Sequence, residues 1–175
     1  KGKSPFILKS GISALIETLN AGMSVHFGIT QKSTKSEDVA YFLGCFADYD
    51  GFDANGLIAN AATLAEILEL PTIKPHCHFY RFSSKGNPNS HWFFSYSRKC
   101  SYQEHCQILK LLVMKLNNEL GIDKKGFDHS IESNSSNLCF AGKDKCVESV
   151  GVPVLILVDE WLVEADELAI GQEGS

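Results

Sequence analysis

The residues with most chemical potential in this sequence are acids. Asp48 and Asp50 stand two apart at the end of an apolar run, Phe46-Ala47-Asp48-Tyr49-Asp50. On an extended strand, residues two apart leave the same face, so both carboxylates point one way. Like charges held side by side repel, and a divalent cation relieves that repulsion. Mg²⁺ or Mn²⁺, which prefer oxygen ligands, suits such a pair. Asp-Tyr-Asp-Gly is also good turn chemistry, and a solvated turn is the plain alternative. A second constellation is Ser83-Ser84-Lys85-Gly86-Asn87-Pro88-Asn89-Ser90, which runs into His91-Trp92. Its backbone N–H groups, with Ser84 and the Lys85 ammonium, could wrap a triphosphate, and His91 could donate to a phosphate oxygen. The alternative is a polar turn with a histidine at the core edge. Asp128 is the third candidate. Alone it reads as an N-cap or turn residue, and its interest lies in its order and spacing after the other two.

The elements that must position these residues follow from periodicity and punctuation. Ile12, Leu15, Ile16 and Leu19 recur at helical spacing, closed by Asn20-Ala21-Gly22. Ser24 to Thr30 reads as a strand and residues 31 to 37 as a polar loop. Val39 to Phe46 is a second strand, leading straight into the acid pair. Residues 55 to 70 have helical composition, stopped by Pro71. His76 to Phe82 and His91 to Ser97 are aromatic-rich strands joined by the Ser/Gly/Asn/Pro turn, which makes a hairpin. Ser101 to Leu120 is a long amphipathic helix with Gly121 as its C-cap. Val152 to Val158 reads as an apolar strand, and Glu160 to Ile170 as a last helix. Crossovers mixed with a hairpin suit an α+β sandwich with a mixed or antiparallel sheet, rather than a doubly wound one.

The bulk properties set bounds. At 175 residues, without repeats, low-complexity tracts or long linkers, the chain is expected to form a single domain, 1–175. It begins with Lys1 rather than Met, and so reads as a fragment of a larger protein. No stretch reaches the roughly 18 apolar residues of a membrane span, and no membrane partner is expected. Six cysteines without a C-x-x-C pair argue against a zinc ribbon. Reduced, buried thiols are the simpler reading, which points to an intracellular setting, cytoplasm or nucleus. The formal charge of −5 argues against a nucleic-acid binder if taken alone. Metal-holding carboxylates contribute to that charge, however, and a local basic groove can coexist with an acidic whole.

Taken in order, the motifs resemble those of the archaeo-eukaryotic primase superfamily, in the branch containing PrimPol and the poxvirus-type helicase–primases. The first motif of that family, an apolar strand ending in acid-x-acid, is matched by Phe46-Ala47-Asp48-Tyr49-Asp50. The second, a hairpin with Ser-x-His before an apolar strand, is matched by Asn89-Ser90-His91-Trp92-Phe93-Phe94. The third starts at Asp128 and ends in Lys145. The likeness covers residues 39 to 145 and implies an RRM-like, primase-type sandwich. It also implies a DNA primase/polymerase activity. Asp48, Asp50 and Asp128 would bind two Mg²⁺ or Mn²⁺ ions, and His91, Ser84, Lys85, Lys143 and Lys145 would meet the nucleotide phosphates. One metal would activate the primer 3′-hydroxyl and the other would stabilise the leaving pyrophosphate. A single-stranded DNA template and nucleoside triphosphates are the implied partners, with a helicase domain in the full-length chain. Two departures stand out. Asn89 replaces a small residue, and Ser136 and Cys139 occupy the positions where the third motif carries arginines. Serine cannot reproduce bidentate phosphate contacts.

Two rival readings use other residues. Pro75-His76-Cys77-His78-Phe79 is a His-hydrophobic-His pattern. It suits the metal site of a rolling-circle Rep-type HUH endonuclease, with Tyr102 or Tyr96 as nucleophile. A catalytically degenerate primase-like binding domain is favoured by the missing arginines and the acidic total.

Overall fold

The computed structural model describes residues 28–30, 39–128 and 145–173. The expected helix near residues 12 to 20, the loop at 31 to 37, most of the expected strand 24 to 30, and Ser136, Cys139 and Lys143 lie outside them. A five-stranded antiparallel sheet forms the centre. Its strands are β1 (Gly28–Thr30), β2 (Val39–Tyr49), β5 (Cys77–Ser83), β6 (Ser90–Cys100) and β7 (Lys145–Ser149), in the spatial order β1-β2-β6-β5-β7. A small second sheet pairs β3 (Phe52–Asp53) with β4 (Gly56–Leu57). The helices are α1 (Leu64–Leu68), α2 (Ile73–His76), α3 (Tyr102–Leu120) and α4 (Val158–Glu173). This is the α+β arrangement expected, with the sheet antiparallel and helices flanking it.

The two long strands alternate as a sheet buried on both faces requires. Phe46, Phe93 and Phe79 stack across β2, β6 and β5 on one face. Tyr80 and Trp92 stack on the other, at 4.4 Å between ring centroids. Helix α3 covers that second face, where His105 stacks on Phe42 and meets the Tyr96 hydroxyl. Gly44 sits at the register shift between β2 and β6. A Cβ there would collide with the Phe94 carbonyl, so the strands approach closely only because the residue is glycine. The expected Gly121 cap forms, with φ of +92° at the end of α3.

Three local expectations need correction. Residues 55 to 70 are not one helix. Asp53 Oδ1 accepts the Asn55 N–H, Gly56 adopts a positive φ, and the chain turns into the β3–β4 hairpin instead. Helix begins only after Thr63, whose side chain and Glu66 form a capping box. The Val152 to Val158 segment is not a strand either. It touches β6 by a single parallel bridge between Ile156 and Tyr96, where β5 has not yet begun and β6 has a free edge. Val158 already opens α4, its N–H bonded to Ser97 Oγ. His76 ends α2 rather than starting β5. Of the six cysteines, the five described are free thiols, and burial pushes Cys45, Cys77 and Cys100 up to about 12. Among the described residues no helix is long and apolar enough to cross a membrane.

Candidate active site

Strand register builds one row of polar side chains on the Phe46–Phe93–Phe79 face. Asp48 on β2 pairs with His91 on β6, and His91 pairs with Arg81 on β5. Directly opposed residues in neighbouring strands share a face, so these three side chains stand in line across the sheet. His91 Nε2 lies 3.2 Å from Asp48 Oδ1, and the Phe46 ring packs against the imidazole at 5.2 Å, edge to face. The carboxylate therefore orients the histidine, while the phenyl ring limits its swing.

Asp128 reaches this row through backbone contacts. Its N–H donates to the Asp48 carbonyl at 2.9 Å. The preceding residues are held from behind: the Phe127 N–H donates to Asn117 Oδ1 of α3, and the Phe127 ring packs on Tyr49. Asp48, Asp50 and Asp128 thus each offer a ligand oxygen within 4.8 Å of the others. The Asp50 carboxyl is raised above its ordinary value by desolvation and then by the negative charges of Asp48 and Asp128; His91 and Lys125 pull it the other way. Because Asp50 is exposed to solvent, the like charges carry the greater weight. Three hard oxygen donors in mutual repulsion fit Mg²⁺ or Mn²⁺.

The hairpin turn lies at the same end of the sheet. Ser83 closes it, accepting from Lys85 N–H through Oγ and from Gly86 N–H through its carbonyl. Ser84 and Lys85 are exposed at its tip. Lys145 is opposite Ser83 in the β5–β7 register, so the end of the third motif returns beside the hairpin. Asn89, one of the departures, has a role of its own: its Oδ1 accepts the Phe52 N–H and its Nδ2 donates to the Phe52 carbonyl, at 2.9 and 3.1 Å. That pair of hydrogen bonds fixes the chain just after Asp50. Gly51 is packed so tightly beneath it that a Cβ would lie 2.6 Å from Pro88 Cγ.

Two cations were missed by sequence reasoning. Lys125 acts electrostatically on Asp50. Arg81 is only 3% exposed, and its Nη1 has no hydrogen-bond partner among the described residues. The one signal for Arg81 was a charged residue inside an otherwise aromatic strand, Cys77-His78-Phe79-Tyr80-Arg81-Phe82. Its alignment with His91 depends on the hairpin register.

The endonuclease residues do not assemble. His76 lies in α2, its Nδ1 3.0 Å from the Val154 carbonyl and its ring against Trp161. His78 sits at the β5 bulge, with its pKa lowered by desolvation. The pair therefore does not share the strand face that a joint metal site needs. Tyr96 is buried, with its hydroxyl pushed far up by burial and held 2.6 Å from His105 Nδ1. Tyr102 lies in the first turn of α3.

Among solved structures, the chain is similar to the AEP domain of the primase–polymerase (PrimPol) of cyanophage S-2L. The TM-score is 0.51 at 14% identity, over 87% of this chain and 76% of that one. The fold is AEP-like. No family model and no curated protein sequence matches the chain.

Proposed function

We propose that this domain is a DNA primase–polymerase, a nucleotidyltransferase that joins nucleoside triphosphates to a primer on a single-stranded DNA template. The observation that carries the reading is the meeting of Asp48, Asp50 and Asp128 within 4.8 Å, beside His91, on an AEP-like fold. These three residues would hold two Mg²⁺ or Mn²⁺ ions, which when bound supply activation of a primer 3′-hydroxyl and charge neutralisation at the leaving pyrophosphate. His91, oriented by Asp48 and Phe46, donates to a phosphate oxygen. Ser84 and Lys85, at the hairpin end of the sheet, meet the triphosphate, and Lys143 and Lys145 are assigned the same role. Phosphoryl transfer depends on positioning and charge neutralisation, so this set of parts is sufficient. Residues 1–175 act as one catalytic unit of a larger protein, alongside a helicase domain.

The test is Mn²⁺-dependent extension of a labelled primer on single-stranded DNA. Asp48→Asn and Asp128→Asn should lose incorporation while keeping the fold. Both should melt at or above the wild-type temperature without metal, because each removes one of three repelling charges. Wild-type rates in either variant would end the reading. Mn²⁺ binding with no incorporation by the wild-type chain would instead favour a degenerate binding domain.

A further inference from the structure

We propose that Arg81 is the phosphate receptor of this site, the guanidinium that takes a triphosphate oxygen of a metal-bound nucleotide. This deepens the polymerase reading and rests on it for the identity of the ligand. The starting observation is a physical anomaly. Arg81 is buried to 3% exposure within a β-strand, and Nη1 has no hydrogen-bond partner among the described residues. No ion pair among the described residues includes it. An arginine stays charged in any protein environment, and burying a charge without a partner costs several kcal/mol. A buried guanidinium with an open donor is a ready receptor for an anionic ligand.

The surroundings say which anion. Arg81 is flanked in register by His91 on one side and Val147 on the other, and along its own strand face by Phe79 and Ser83. None of these is an acid. Asp48 lies two strands away, about 10 Å at the usual spacing between strands. The polar row therefore has opposite ends: a carboxylate cluster at β2, an imidazole at β6 and an unpaired guanidinium at β5. A ligand lying along it must present a cation to the first end and anionic oxygens to the last. A nucleoside triphosphate carrying a divalent metal does so, and the planar guanidinium fork matches phosphate oxygens in bidentate fashion. A bare DNA strand offers phosphates but carries no cation of its own to the acid end.

The experiment measures equilibrium binding of inorganic tripolyphosphate, of Mn²⁺ with a deoxynucleoside triphosphate, of Mn²⁺ alone, and of a single-stranded oligonucleotide. Wild type is compared with Arg81→Gln and Arg81→Lys. In Arg81→Gln, Kd for tripolyphosphate and for the nucleotide should rise about tenfold or more, equivalent to about 1.4 kcal/mol. Binding of Mn²⁺ alone and of the oligonucleotide should be unchanged. Arg81→Lys, which keeps the charge without the fork, should fall between. Melting should not drop in Arg81→Gln, since an uncompensated charge has been removed; a structural arginine would show the opposite. Unchanged nucleotide affinity, or a loss confined to the oligonucleotide, would overturn the proposal while leaving the polymerase reading intact. Arg81-dependent tripolyphosphate binding in a chain that neither binds Mn²⁺ nor incorporates nucleotides would do the reverse.

Discussion

Tyr49, between two of the candidate ligands, faces the other way and is fully buried. Its hydroxyl donates to the Lys125 carbonyl at 3.0 Å and accepts the Ala62 N–H at 2.7 Å. Its ring packs on Phe127, next to Asp128. One side chain thus fastens the loop that brings the third carboxylate to the first two, which makes Tyr49 a positioning residue. Replacing it with Phe leaves a buried N–H unpaired and costs about 1–3 kcal/mol. The melting temperature of Tyr49→Phe should fall by several degrees. Mn²⁺ affinity, followed by the loss of its free electron-spin signal, should weaken as well. A lower melting temperature with unaltered Mn²⁺ binding would reduce Tyr49 to a core residue.

Between elements, the join of β6, α3 and α4 is electrostatic. Glu104 closes the α3 capping box with Ser101, and it also receives Arg98, which reaches on to Asp159 in the first turn of α4. Arg98 and the Ser101 backbone N–H hold the Glu104 carboxyl down at about 2, from an ordinary 4.5. A group depressed in the folded state adds stability that is complete above its unfolded pKa and disappears as pH falls through its folded one. The window therefore runs from about pH 4.5 down to about 2. With a side chain 28% exposed, the contribution is screened by solvent and modest. Glu104→Gln should melt lower than wild type at neutral pH, by roughly 1 kcal/mol of stability. It should also show a flatter decline across the acid window. Parallel declines would assign the acid sensitivity to other carboxylates.

For the whole molecule, the question is whether sheet and helices unfold together. Trp92 is buried in the sheet, while Trp161 lies in α4 against His76 and under Lys115. The two tryptophans therefore report on different layers of one core. If residues 1–175 form a single cooperative unit, fluorescence of Trp92→Phe, fluorescence of Trp161→Phe and far-ultraviolet circular dichroism should give coincident urea transitions. An earlier transition sensed only by Trp161 would separate α4 from the sheet and break the one-domain expectation.

What the sequence determined by itself was whatever neighbours along the chain decide. Alternation along Val39 to Tyr49 set the two acids on one face, the Ser/Gly/Asn/Pro turn made the hairpin, and Ser101, Glu104 and Gly121 bounded the long helix. Composition misled where local turn chemistry was stronger, as at Asn55-Gly56, and where an apolar segment lacked a strand partner, as at Val152 to Val158. Only tertiary structure decided that Asp128 would meet Asp48. Motif order singled Asp128 out, but the meeting itself depends on Tyr49, Asn117 and Phe127 closing a loop across the fold. It also decided that Arg81 would lie buried beside His91 with no ion-pair partner among the described residues. Strand register and burial depend on residues distant in the chain, and a charge becomes informative only once its surroundings have been stripped of water.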